Sequence, residues 1–156
     1  MADFNRQITL AARPVGLPKE SDFKLVETSI PQPGDGELLV RTTFLSVDPY
    51  MRGRMNDRKS YATPVQLGEV MTGGTTGRVI ASNNDKFQVG DDVVGQWGWQ
   101  EYGISDGRGL RKTIPGAPAS AHLGILGMPG LTGYFGFLDI CPPPAGETVV
   151  VSGGAG

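Results

Sequence analysis

Glycine and proline interrupt this sequence so often that no long regular element can run through it. They make up 36 of its 156 residues, and the segments between them are short apolar runs rich in β-branched residues. Proline brings no amide hydrogen to a ladder or a helix, and glycine gives up the most conformational entropy when its backbone is fixed, so both mark turns and bends. There is no Gly-x-y period, and with 38% hydrophobic residues the chain has the material for a core, so it is neither collagen-like nor disordered. Many short strands joined by turns are expected, and the fold class is mainly β. A chain of this length buries a core without disulfide or metal staples.

The strands are expected in two blocks. The first holds a run starting at Ile8 and stopped by Arg13-Pro14-Val15-Gly16-Leu17-Pro18, then Phe23 to Thr28, then the long aliphatic run from Glu37 to Val47. Asp48-Pro49 breaks that run, and a loop or short helical turn follows to about residue 61. The second block holds Glu69 to Met71, Thr75 to Ser82, Gly90 to Gly95, Trp97 to Ile104 and Leu110 to Ile114, with glycines where a barrel would need tight corners. Together these segments predict a small, closed or nearly closed antiparallel barrel. Beyond it, Ala119 to Leu126 can form a short helix with Ser120 as its cap. Leu131, Tyr134, Phe135 and Leu138 recur at helical spacing. Cys141-Pro142-Pro143-Pro144 ends that helix, and Thr148-Val149-Val150-Val151 is a last β run before Ser152-Gly153-Gly154-Ala155-Gly156.

Charge and cysteine content remove several function classes. Fourteen Lys and Arg against sixteen Asp and Glu leave a formal charge of -2, which gives no field for nucleic acid or anionic lipid. One cysteine, Cys141, cannot make an internal disulfide, the first residues have no signal-peptide core, and no apolar run approaches the ~20 residues of a membrane helix. A cytoplasmic protein with no nucleic-acid or membrane partner is expected. Cys141 and His122 are the single Cys and the single His, too few for a zinc site with about four ligands. No metal is expected; His122 reads as a surface or cap-proximal residue and Cys141 as a small hydrophobe.

The residues with chemical potential are few. Tyr50 follows a strand end and a proline, and Tyr61 lies in the next loop; each is either a hydroxyl aimed into a cleft or an amphipathic ring packed under a loop. Arg52, Arg54, Arg58 and Lys59 form a basic group that is either a solvated face or an attractor for an anionic substrate tail. Trp97, Trp99 and Tyr102 are expected to pack in the barrel. Gly154-Ala155-Gly156 after a β run is either a flexible tail or the start of a glycine turn that carries a dinucleotide pyrophosphate to a helix N-terminus.

Three segments, Leu45 to Met55 with Asp48-Pro49-Tyr50-Met51-Arg52, Gly124 to Gly136 with Met128-Pro129-Gly130-Leu131-Thr132, and Gly146 to Gly153, resemble the zinc-independent, NADPH-dependent double-bond reductases. This branch of the medium-chain dehydrogenases/reductases includes the curcumin, prostaglandin and leukotriene B4 enzymes. The resemblance runs from about Arg13 to Gly156 and is most like the bacterial curcumin reductase type. It implies a chaperonin-10-like (GroES-like), partly open barrel with a few short helices over residues 1–127. Residues 128–156 would then be the connecting helix and first strand of a Rossmann domain cut short, so that the chain is the N-terminal part of a longer enzyme.

The resemblance further implies reduction of the carbon-carbon double bond of α,β-unsaturated ketones or aldehydes, with a small-molecule enone as substrate and a homodimeric parent enzyme. Tyr50 and Tyr61 would face substrate. Met128, Pro129, Gly130, Thr132, Gly154 and Gly156 would contact NADPH, and the fragment by itself would be inactive. Asp48 falls where zinc-dependent relatives carry a cysteine ligand, and Gly68-Glu69 lacks their intervening histidine. The competing expectations are a non-catalytic barrel module, which would show no apolar surface from Leu131 to Val151, and a quinone reductase.

Overall fold

The computed structural model describes residues 4–58 and 62–152. Among these residues seven strands form two antiparallel sheets. β1 (Asn5–Leu10) pairs with β2 (Phe23–Thr28), and a five-stranded sheet has the order β6-β3-β4-β5-β7. Its members are β3 (Leu38–Leu45), β4 (Thr75–Ser82), β5 (Asp92–Gly95), β6 (Tyr102–Ser105) and β7 (Arg111–Lys112). Two isolated bridges, Gln7 with Gln100 and Thr9 with Val70, join the free edge of β1 to loops of the larger sheet. Along that edge the Ile8 amide donates to the Trp99 carbonyl at 2.9 Å and the Leu10 amide to that of Glu69 at 3.0 Å. The expected mainly β fold is present, as a barrel closed by scattered bonds rather than a continuous ladder.

β2 and β4 occupy the expected residues, while others differ for identifiable reasons. The first strand begins earlier, at Asn5, because the buried Asn5 side chain is itself part of the pairing: its amide donates to the Tyr102 carbonyl at 2.9 Å and its oxygen accepts from the Tyr102 amide at 3.0 Å. Glu69 to Met71 makes only the single bridge at Val70, since Gly68 at φ +86° and the Gly73-Gly74 pair leave too little chain for a strand. In β3 three successive residues, Leu38, Leu39 and Val40, are buried, contrary to strict alternation. A register shift between Leu39 and Val40 in the pairing with β4 turns both inward.

Two apolar clusters fill the interior. Leu38, Val40, Val79, Phe87, Val93, Trp97 and Leu110 pack on one side of the large sheet. Leu10, Met51, Met55, Val65 and Met71 form the second, with Ile8, Phe23, Tyr50 and Trp99 against it. The second cluster exists because the short helix α1 (Tyr50–Arg54) inserts Met51 into it.

After the barrel, a 3₁₀ turn (Ala119–Leu123) leads to α2 (Met128–Tyr134) and a π-helical turn (Phe135–Ile140). Ser120 does not cap the first turn: the capping position is Pro118 and no side chain caps it. The run at 148–151 joins neither sheet, as an apolar strand without a neighbouring strand to bond has no ladder to enter. The π-turn and this run leave Phe135, Leu138, Ile140, Val150 and Val151 exposed.

Candidate active-site cleft

A cleft of about 160 Å³ lies where the end of β3 and the start of α1 face the junction of the 3₁₀ turn and α2. One wall follows from the Asp48-Pro49 break. Pro49 has φ −55°, already helical, so α1 starts directly after it, with four residues between the end of β3 and the first of α1 and with the Met51 amide donating to the Asp48 carbonyl at 3.1 Å. Tyr50 is therefore held between the second apolar cluster and the cleft. The Ser46 hydroxyl donates to the Asp48 carboxylate at 2.7 Å, the Ser46 amide to the Gly74 carbonyl at 2.8 Å, and the Trp99 indole to the Ser46 carbonyl at 3.2 Å. These bonds fix the floor beneath Tyr50.

The opposite wall is built by His122 and Gly127, with Gly130 behind them setting the start of α2. His122 is buried, not on the surface. Its Nε2 accepts the Ile114 amide at 2.9 Å, and its Nδ1 lies 3.3 Å from the Pro118 carbonyl. That pattern requires the neutral tautomer with hydrogen on Nδ1. Both ring nitrogens are thus occupied by backbone, which makes His122 a staple between the loop after β7 and the turn before α2. A Cβ on Gly127 would stand 2.3 Å from the His122 carbonyl oxygen, and one on Gly130 only 1.8 Å from that of Ile125. Only glycine lets α2 start this close to the turn, and this approach presents Met128 and Pro129 to the cleft.

The cleft unites Tyr50, Met128 and Pro129. Gly130 lines the neighbouring apolar hollow with Pro129, Leu131 and Tyr134 instead. Thr132 lines neither, and its hydroxyl donates to the Met128 carbonyl at 2.8 Å, within its own helix. Tyr61, Gly154 and Gly156 lie outside the described residues. Arg52 does not present a basic face: it donates to the carbonyls of Pro14 and Gly16 and to Asn56. Trp97 and Tyr102 are buried in the barrel as expected, and Cys141 is exposed.

Three wall residues escaped sequence reasoning as site residues. From the sequence, Asp48 reads only as the position of an absent zinc ligand and His122 as a surface or cap-proximal residue, while Arg111 sits on a two-residue strand that carries no periodicity to mark it. Among the described residues no three of His, Cys, Asp and Glu converge as a metal site would require. The carboxylates held below their ordinary range all lie outside the cleft. Hydrogen bonds from Arg6, Arg78 and the Arg108 backbone lower Glu101, Asp92 and Asp106, and the Gln88 amide and Lys112 lower Asp91.

A barrel of this topology with a cleft at its helical junction defines a GroES-like domain, and comparison with known proteins agrees. Residues 6–113 match the family described as the N-terminal domain of oxidoreductase, and the chain belongs to that family. It is 51% identical over 154 residues to the NADPH-dependent curcumin reductase of Escherichia coli (strain K12), covering 97% of this chain and 44% of that protein. With prostaglandin reductase 1 of Rattus norvegicus the identity is 45% over 146 residues, covering 90% and 42%. The crystal structure of CurA in complex with NADPH from Vibrio vulnificus superposes with a TM-score of 0.80 at 52% identity, covering 86% of this chain and 40% of that one. The chain spans less than half the length of these relatives.

Proposed function

We propose that this chain is the substrate-binding part of an NADPH-dependent reductase of α,β-unsaturated ketones or aldehydes. Residues 1–127 form the substrate domain, and 128–156 begin the nucleotide-binding domain. The observation that carries the reading is that Tyr50 and the Met128-Pro129 start of α2 line one cleft. The names of the related proteins supply the reaction class. A cytoplasmic homodimer is the corresponding proposal for the parent protein.

The dimensions of the cleft limit what it can take. About 160 Å³ is well below the ~300–1,000 Å³ of a complete small-molecule site. It fits one planar end of a ligand, an enone or a nicotinamide ring, and not a whole dinucleotide. Its fit to the nicotinamide end rests on Met128 and Pro129 as the contacts, which the close approach at Gly127 brings to the cleft; Gly130 and Thr132 act by setting that helix. Bound NADPH supplies the hydride.

The remaining chemistry belongs to the chain. As the double bond is reduced, negative charge builds on the carbonyl oxygen of the acceptor. A tyrosine hydroxyl, ordinarily protonated up to pH about 10, donates to that oxygen, and the bond strengthens as charge develops in a water-poor cleft. Tyr50 takes this role, with Tyr61 as a second donor. The apolar core beneath Tyr50 and the bonded floor at Ser46 hold its ring in place, so little reorganisation accompanies the reaction.

In the intact natural protein, NADPH oxidation is expected with an enone acceptor. Tyr50→Phe should lower kcat by roughly tenfold to a hundredfold while the KM for NADPH stays unchanged. An unaltered kcat removes Tyr50 from the mechanism, and absence of enone-dependent oxidation in the wild type overturns the reductase reading. The stand-alone barrel module is disfavoured by the exposed Leu131, Phe135, Leu138, Val150 and Val151, a surface that such a module would have no reason to carry.

A further inference from the structure

Among the described residues that line the cleft, Asp48 alone carries a carboxylate. It is fixed at three points. Its carboxylate accepts the Ser46 hydroxyl at 2.7 Å, its amide donates to the Met51 Sδ at 3.4 Å, and its carbonyl accepts the Met51 amide at 3.1 Å. Pro49 stiffens the chain directly after it. The salt bridges among the described residues join Arg6 to Glu101, Arg78 to Asp92, Arg108 to Asp106 and Lys112 to Asp91. None of them involves Asp48, and Arg111, the cation that also lines the cleft, is not paired with it. His122 adds no charge in the neutral tautomer that its two backbone contacts require. A carboxylate is thus held in place, outside any ion pair, in the cleft that contains Met128 and Pro129.

The reaction proposed above separates charge. A C–H bond of the dihydronicotinamide breaks, and its electron pair forms a C–H bond at the β-carbon of the acceptor. The π pair displaced from that carbon comes to rest on the carbonyl oxygen, and water supplies the proton that completes the reduction. The oxidised nicotinamide ring is left as a pyridinium cation. Tyr50 faces the negative end of this separation, and the positive end calls for a counter-charge.

We propose that Asp48 is a catalytic residue that stabilises the positive charge left on the nicotinamide ring by hydride transfer; this rests on the reductase reading above. Attraction between opposite charges grows as water is excluded, and a carboxylate already oriented by Ser46 stabilises the cation with little reorganisation. Before the transfer the ring is neutral and Asp48 gains little from it, so the stabilisation is differential and lowers the barrier. The role requires only the ring inside a cleft of about 160 Å³; the rest of the dinucleotide lies outside.

The test is the affinity of the intact natural protein for NADP+ and for NADPH, titrated without acceptor, in wild type, Asp48→Asn and Asp48→Glu. The two nucleotides differ at the ring by a hydride and hence by one positive charge, so the ratio of their dissociation constants reads the charge preference of the ring site. Asparagine still offers an oxygen to the Ser46 hydroxyl, so the substitution removes the charge and keeps the shape. Asp48→Asn is expected to weaken NADP+ about tenfold and to leave NADPH within about twofold. Asp48→Glu, which keeps the charge, should retain part of the preference.

The same ratio sets how strong a hydride donor the bound nucleotide is. Asp48→Asn should therefore slow hydride transfer in single turnovers about tenfold, with a deuterium isotope effect from labelled NADPH at least as large as that of the wild type. Equal loss of both nucleotides in Asp48→Asn, as a merely structural role would give, overturns the proposal. So does an unchanged ratio in a protein that reduces enones, which leaves the reductase reading intact. A wild type that binds neither nucleotide overturns the reductase reading and this proposal with it.

Discussion

His122 shows how a single polar side chain can set a wall of the cleft. Its ring accepts the Ile114 amide and contacts the Pro118 carbonyl, and removing it leaves that amide without its partner. His122→Ala should cost about 1–2 kcal/mol, read from the urea midpoint, with His122→Gln recovering part because its side chain still offers an acceptor. The paired carboxylates act at the same scale and give stability a pH dependence. Asp91, Asp92, Glu101 and Asp106 are all lowered from ordinary values of 3.8 or 4.5 in the folded chain. Their contribution is complete above those values and is lost as pH falls through the lower folded values. The urea midpoint should therefore drop as the pH is taken below about 4.5, and because the pairs are exposed, added salt should shrink the change.

At the scale of elements, the cleft depends on two short helices that would not be stable alone. Five-residue α1 and seven-residue α2 are well below the ~12–15 residues an isolated helix needs. α1 is held by Met51 in the core and by Arg52 on the carbonyls of Pro14 and Gly16. Arg52→Ala should loosen the loop at 14–18, seen as faster proteolysis there, at a cost of about 1–2 kcal/mol. α2 is held by its close approach to the preceding turn. Gly130→Ala puts a methyl group 1.8 Å from the Ile125 carbonyl oxygen, and backbone has to move. A loss of about 1–3 kcal/mol is expected in thermal unfolding, and under the proposed function a raised KM for NADPH should accompany it in the intact natural protein as Met128 and Pro129 shift.

Across the whole molecule the burial is uneven. The barrel encloses two compact clusters, whereas the residues from Ile125 to Val151 present Ile125, Met128, Tyr134, Phe135, Ile140 and Val150 to solvent. Exposed apolar surface of this extent promotes association. The 156-residue chain should bind the dye ANS and self-associate in sedimentation velocity, and Val150→Glu together with Leu138→Glu should reduce both without altering the β-sheet circular dichroism. Unchanged association in that double variant would locate the sticky surface elsewhere.

The β-rich class, the break at Asp48-Pro49, the limits of β2 and β4 and the helical spacing after Met128 were legible in the sequence, because each depends on local chemistry: proline's missing amide, glycine's missing side chain, the period of apolar residues. The relation to the double-bond reductases was legible in the same way, from contiguous segments. The cleft was legible only in part. Tyr50, Met128 and Pro129 could be named in advance, but Thr132 turned out to spend its hydroxyl on its own helix, and Gly130 to make room for a carbonyl. Arg111 and His122 became part of the site only when β7 and the 3₁₀ turn folded against the end of β3. Those partners are far apart along the chain, and no spacing rule connects them. Local propensity fixes where elements begin and end, whereas the pairing state of a charge or an imidazole depends on the long-range packing that surrounds it.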